Sequence, residues 1–312
     1  MRSGKGRWAL VIVFVLAAFV MSVFFSCAAL APYLGSGAQI IASLGQTFGL
    51  IDNKTADAIV KSGVAFGTAF EEITPEQEYY IGRGVAANVL TRYRLQPTTS
   101  AMTVYINKIV NALIINSPRP EIFNGYHAAI LDSDEINAFA TPGGHIFITR
   151  GLIDCATSED MLAAVIAHEV AHIQLQHGLK AIKNSRFTQA LLITGTSAAG
   201  AAGNTSVAEL ANTFGDSVSE IVTTLVTNGY SQAQELDADS VAMSLMSLAG
   251  YEPSSMIDML QVLERNQGGR PGGFNNTHPT PAQRISNAQN TVGNYDVPDT
   301  SSYRQARYAA VR

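Results

Sequence analysis

Ala167-His168-Glu169-Val170-Ala171-His172 decides the reading of this chain. Upstream, Thr157-Ser158-Glu159-Asp160 supplies a capping residue and two acids, the pattern of a helix start. Leu162, Val165, Ile166, Val170 and Ile173 then mark an apolar face, so the segment is predicted to be a largely buried helix. On a helix, positions i and i+4 lie about 40° apart around the axis and about 6 Å along it. His168 and His172 therefore project to one side, close enough to share a Zn²⁺ through bonds of about 2.0–2.1 Å. Glu169 stands one residue round, within reach of a metal-bound water without being a ligand. Without a metal, two bare imidazoles and a carboxylate on an apolar helix would carry a heavy desolvation cost.

A catalytic zinc takes a third protein ligand and keeps a fourth position open. Glu235, in Tyr230-Ser231-Gln232-Ala233-Gln234-Glu235-Leu236-Asp237-Ala238-Asp239, is the candidate. Asp239 follows Glu235 by four residues, so one helix face presents both. Glu235 then binds the ion while Asp239 accepts the free N–H of a zinc histidine. His177 lies five residues past His172, about 140° round a continuing helix, and reads as a structural polar residue. His127 and His145 fall in strand patterns with no carboxylate or cysteine nearby, and read the same way.

These motifs, together with Asn137-Ala138-Phe139-Ala140-Thr141-Pro142-Gly143-Gly144 and His278-Pro279 followed by Arg284-Ile285, resemble peptidase family M48. The likeness runs from about Ile73 to Ile285 in family order. It is strongest to the exported bacterial branch of periplasmic quality-control peptidases, and weaker to mitochondrial inner-membrane and CAAX-prenyl peptidases. The resemblance implies an α+β, mostly helical, zincin-like metallopeptidase with a small sheet beside the active-site helix. It also implies one Zn²⁺ per chain on His168, His172 and Glu235, with Glu169 as general base. His278 would stabilise the oxyanion or plug the open coordination position, unless it is only a loop histidine. Arg284 would be a nearby cation, for substrate carbonyls or in a structural ion pair. Family members often carry an arginine just before the glutamate ligand, where this chain has Ser231 and Gln232. Asn137, Ala138, Phe139 and Ala140 would form an edge strand whose main chain binds an extended substrate, with the Gly143-Gly144 turn allowing close approach. The implied partners are unfolded or misfolded polypeptides. The alternative is a chaperone-like binding protein with a shut zinc cleft and little proteolysis.

Working outward, Thr74-Pro75-Glu76-Gln77 is a capping-box helix start, predicted to run to about Tyr93. A second helix, about Ala101 to Asn116, carries the stripe Val104, Ile109, Val110 and Leu113, and Pro118 and Pro120 stop it. Tyr126–Leu131 and His145–Thr149 read as strands, and Asn137–Ala140 as a short one. Phe187–Ala208 is uncharged, but its Gly, Ser, Thr and Asn content argues against a membrane span. The domain reading is 1–26 signal peptide, 27–72 helical membrane-proximal spacer, 73–290 peptidase domain and 291–312 tail.

The chain's 312 residues are 47% hydrophobic and 14% charged, which excludes intrinsic disorder. Net charge is −5, and with Arg2, Lys5 and Arg7 set aside the rest stands at −8. Such a body offers no electrostatic footprint for nucleic acid and is repelled by anionic lipid. Those three cations precede an 18-residue uncharged run, Trp8–Phe25, the layout of a secretory signal. Phe24-Phe25-Ser26-Cys27-Ala28 resembles a bacterial lipobox with Phe24 at the usual leucine position, so Cys27 would be lipidated. The other reading is an uncleaved anchor. Either places the body in the cell envelope, on the exported side. Cys155, left without a partner, reads as a structural thiol.

Overall fold

A computed structural model describes residues 31–47, 52–54, 56–57, 59–61, 73–180, 222, 229–266, 273–278 and 281–312. The expectations for Trp8–Phe25, Cys27 and Phe187–Ala208 fall outside those residues. The chain divides into two compact units, residues 1–72 with 183–214 and residues 73–182 with 215–312. In the first, α1 spans Ala31–Thr47, with Ile40, Ile41 and Leu44 exposed. No helix among the described residues is long and apolar enough to cross a membrane.

The second unit opens with α2, Pro75–Val89. Thr74 accepts from the Gln77 amide, and the Gln77 side chain returns the bond to the Thr74 N–H. The helix stops short of Tyr93 because Arg94–Gln96 is needed as extended chain. Asp132 N–H donates to Arg94 O at 2.8 Å and Gln96 N–H to Ile130 O at 2.8 Å. Next, α3 spans Ala101–Ile114 from an N-cap at Ser100. Its buried stripe is Ile106, Ile109, Val110 and Leu113, whereas Val104 is 45% exposed. Stepping back three residues from Ile106 reaches Thr103, not Val104, so Thr103 is the buried one.

Three strands follow: β1 (His127–Leu131), β2 (Ala138–Thr141) and β3 (His145–Thr149), in the order β1-β3-β2. β1 runs parallel to β3 with Ala129 opposite Phe147, and β2 runs antiparallel to it with Phe139 opposite Phe147. The β2–β3 turn needs glycine. Gly143 sits at φ 73°, and a Cβ there would lie 2.4 Å from Tyr79 Cα. Beyond the sheet come α4 (Arg150–Cys155) and α5 (Glu159–Gln174). Ser158 caps α5, and every residue from Glu159 to Ile173 is buried, so this helix is enclosed on all sides rather than on one face.

α6 (Gln232–Leu248) and α7 (Ser255–Arg265) pack on α5, the one-turn α8 (Phe274–Thr277) packs on α7, and α9 (Pro281–Thr291) packs on α6 and α7. Of the three apolar clusters among the described residues, the largest is built on this contact. It joins Leu162, Val165, Ile166 and Val170 with Ala242, Met243, Met246, Met259, Ile109 and Ile148. The segment 291–312, expected to be a tail, instead carries α10 (Ser301–Ala309), which packs on the start of α5. Tyr308 is buried and donates to Ala156 O at 3.0 Å, and Arg304 Nε donates to Asp160 Oδ2 at 2.9 Å. Arg304, Arg307 and Tyr308 share one helical face, which is how so polar a segment finds a buried side.

Candidate metal centre

Three elements converge on one point. α5 delivers His168, Glu169 and His172, α6 delivers Glu235, and the turn after α8 delivers His278. α6 begins at Gln232 because Ser231 and Gln234 form a second capping box, which puts Glu235 in the first turn, facing α5. One donor atom each from His168, His172, Glu235 and His278 lies within 4.8 Å of the others. None of these residues, nor Glu169, is more than 2% exposed.

The separations resemble the edges of a coordination tetrahedron. His168 Nε2 is 3.0 Å from His172 Nε2, 3.2 Å from His278 Nδ1 and 3.4 Å from Glu235 Oε2. Glu235 Oε1 lies 3.4 Å from His172 Nε2 and 3.1 Å from His278 Nδ1. A tetrahedral ion with bonds of about 2.1 Å sets its donors about 3.4 Å apart. Proton placement points the same way. His168 Nδ1 faces Asp239 Oδ1 at 2.9 Å, which fixes its proton outward. Its Nε2 lone pair then points into the cluster, where a cation satisfies it. The residues present fit a zinc ion.

Glu169 stands apart from the four donors. Both its carboxylate oxygens are buried without a hydrogen-bond partner, and His278 Nε2 lies 3.5 Å from Oε1. Burial pushes its acidity below that of an ordinary carboxyl, raising the pKa. A carboxylate in that condition takes up a proton readily. Glu235 keeps its negative charge despite burial, because His278 and Arg284 hold its pKa well below the usual range.

Arg284, on α9, is buried and clamps the acids from behind. Its Nε and one Nη donate to the two Asp239 oxygens at 2.7 Å each, and the other Nη lies 2.9 Å from Glu235 Oε2. Against burial, this guanidinium brings Asp239 down to about 2. Arg284 thus makes a structural ion pair.

The 273–278 segment covers the outer edge of β2. Phe274 N–H donates to Ile136 O at 2.8 Å, Thr277 Oγ1 to Asn137 Oδ1 at 3.2 Å, and His278 Nε2 lies 3.3 Å from Ala138 O. Asn137, Ala138, Phe139 and Ala140 are all buried. The edge expected to lie open for substrate is closed in this structure.

Two residues escaped the sequence reading. Tyr230 stacks on His172 with ring centroids 4.1 Å apart and planes at 16°. Its N–H donates to Thr277 O at 3.1 Å, and burial with the Glu169 and Glu235 charges pushes its phenol pKa well up. His177, read as structural, has Nδ1 2.8 Å from His172 Nδ1. His177 stays outside the four donors, as its spacing implies, but it comes back to His172 because α5 ends at Gln174 and Gln176 turns left-handed at φ 55°. Burial and Lys180 lower the His177 pKa to about 4. His127 and His145 bond locally, to Asn124 O and Thr141 Oγ1, outside the cluster. Cys155 is half-buried, and burial raises its thiol pKa.

Comparison with known proteins places this geometry. The sequence profile of Peptidase family M48 matches residues 100–292. A beta-barrel assembly-enhancing protease of Yersinia pestis is 27% identical over 220 residues, covering 68% of this chain and 43% of that protein. The chain therefore spans less than half of that relative's length. The metalloprotease LoiP of Escherichia coli is 26% identical over 241 residues, 77% of this chain and 90% of its own. The mitochondrial metalloendopeptidase OMA1 of Schizosaccharomyces pombe is 25% identical over 220 residues, 69% of this chain and 61% of its own. The matched region contains every one of the four donors and Glu169, and the chain belongs to peptidase family M48.

Proposed function

We propose that this protein is a zinc-dependent endopeptidase. The observation that carries the reading is the buried set His168, His172, Glu235 and His278 with the unpartnered carboxylate of Glu169 beside it. His168, His172 and Glu235 would hold the ion. When bound, zinc supplies an acidified water and a Lewis-acid hold on the scissile carbonyl. Glu169 takes the proton from the attacking water and passes it to the leaving amine. Asp239 keeps His168 oriented, and Arg284 keeps Asp239 and Glu235 charged. His278, drawn back from the cluster, is placed to donate to the developing oxyanion. Main-chain groups of Asn137–Ala140 would then align an extended substrate.

The substrates we propose are unfolded or misfolded envelope proteins. Support comes from relatives named for beta-barrel assembly enhancement; the β2 main chain, once the 273–278 segment draws back, would favour extended chains over one strict sequence. Export and tethering, through a lipidated Cys27 or an uncleaved N-terminal anchor, rest on the basic flank and the Trp8–Phe25 run. The test is cleavage of casein by purified protein with zinc, alongside Glu169→Gln. Wild-type cleavage that the variant lacks supports the reading, and equal inertness in every condition overturns it.

A second reading, a latent protein with a shut cleft, is favoured by one observation. His278 Nδ1 stands among the donors, 3.1 Å from Glu235 Oε1, and the segment that carries it covers β2. His278→Ala discriminates: a rise in hydrolysis marks a plug over a working enzyme, and continued inertness marks a binding protein.

A further inference from the structure

His172 is held on three sides. Its Nε2 faces the donor cluster, Tyr230 covers one ring face, and its Nδ1 lies 2.8 Å from His177 Nδ1. We propose that His177 is a positioning residue of the metal centre, which accepts the Nδ1 proton of His172 and so aims the Nε2 lone pair inward. This rests on the reading of the cluster as a zinc centre.

A neutral imidazole carries one N–H. Across 2.8 Å between two ring nitrogens, one donates and the other accepts. Were His172 the acceptor, its own proton would sit on Nε2, 3.0 Å from His168 Nε2, and no lone pair would remain for a metal. His172 therefore donates, and the single proton of His177 goes to Nε2. That atom is buried with no hydrogen-bond partner. Leucine or phenylalanine would fill the same space without leaving a buried N–H unpaired, so packing does not account for the imidazole. Orientation of His172 does.

The backbone is bent to bring it there. Gln176 adopts φ 55°, a left-handed conformation that is strained outside glycine. Gly178 follows, where an added Cβ would come 3.1 Å from Pro142. Charge explains why the partner is an imidazole and not a second carboxylate. Asp239 does the same service for His168, but its charge is met by Arg284 in two hydrogen bonds. A further acid under His172 would lie close to Glu235 with that guanidinium already engaged.

The test is zinc affinity of the full chain in detergent, measured by competition with a chromophoric chelator, for wild type, His177→Gln and His177→Leu. Glutamine retains an acceptor and leucine removes it at similar volume. The expected result is about 10–100-fold weaker binding for leucine and less than about fivefold for glutamine. Cobalt(II) absorption should show the same red shift or broadening for leucine alone. Leucine binding as tightly as wild type overturns the proposal, and so does glutamine as weak as leucine. Thermal unfolding of the zinc-free proteins checks the fold. Should the leucine variant lack a cooperative transition, His177→Ala takes its place with the same two criteria. Wild type that binds no zinc removes the centre itself, an outcome read before any variant is compared.

Discussion

Arg307 reaches from α10 across the first turn of α5 to Glu159, with Nε 2.6 Å from Oε2. Glu159 is 1% exposed and also accepts from Tyr105 at 2.5 Å and Tyr251 at 2.9 Å. The helix that carries His168 and His172 thus begins on a buried carboxylate whose countercharge comes from α10. Removing the guanidinium strands that charge. Arg307→Ala should lower unfolding free energy by about 1–3 kcal/mol, the guanidinium itself being half exposed. Arg304→Ala, which strands Asp160, should cost about as much. Urea midpoints measure both, and unchanged midpoints would mean α10 is not a structural part of the domain.

Val104 and Ile106 are two residues apart and face opposite ways. Val104→Lys should change stability by less than about 0.5 kcal/mol, since the side chain already meets solvent. Ile106→Ala, in the enclosed core, should cost about 2–5 kcal/mol. The same denaturation assay applies, and reversed costs would refute the register of α3.

Two histidines outside the donor set, His177 buried and His145 half-buried, make stability depend on pH. His145, stacked on Tyr79 with centroids 5.4 Å apart, has its pKa lowered by burial. His177 is lowered to about 4. Unfolded histidine titrates near about 6.5, so below that pH the unfolded chain binds protons that the folded chain refuses. Both contributions are complete above about 6.5; that of His177 is lost as pH falls toward about 4, and that of His145 is lost below its unfolded value. With chelator present, the urea midpoint should drop between pH 7.5 and 5, and His145→Asn should flatten the drop. A variant as steep as wild type would contradict the assignment for His145.

Glu235→Ala removes the carboxylate we propose as a ligand and leaves Arg284 with one acid in place of two. Bound zinc should fall from about one per chain to near zero after dialysis, while Glu169→Gln keeps its zinc and loses hydrolysis by about 10²-fold or more. Metal analysis beside the casein assay reads both. Zinc lost from Glu169→Gln would place that carboxylate among the ligands.

Much of the centre is legible where local spacing governs. His168, Glu169 and His172 follow from helix phase, and Glu235 with Asp239 from a second i, i+4 pair on α6. Sequence spacing cannot report what happens when a helix stops. His177 reaches His172 only because Gln176 reverses the chain. Nor does it report contacts between distant segments. Thr277 meets Asn137 across 140 positions and closes the β2 edge, and Arg304 meets Asp160 across 144. The stripe of Arg304, Arg307 and Tyr308 was visible as a spacing, but three polar residues do not advertise a buried face.

The central claim is a metal held by His168, His172 and Glu235. Zinc-edge anomalous diffraction from crystals grown with one equivalent of zinc tests it most directly. The account requires a single peak bonded at about 2.0–2.2 Å to Nε2 of His168, Nε2 of His172 and an oxygen of Glu235. A peak elsewhere on the chain, or one that Glu235 does not touch, would contradict it.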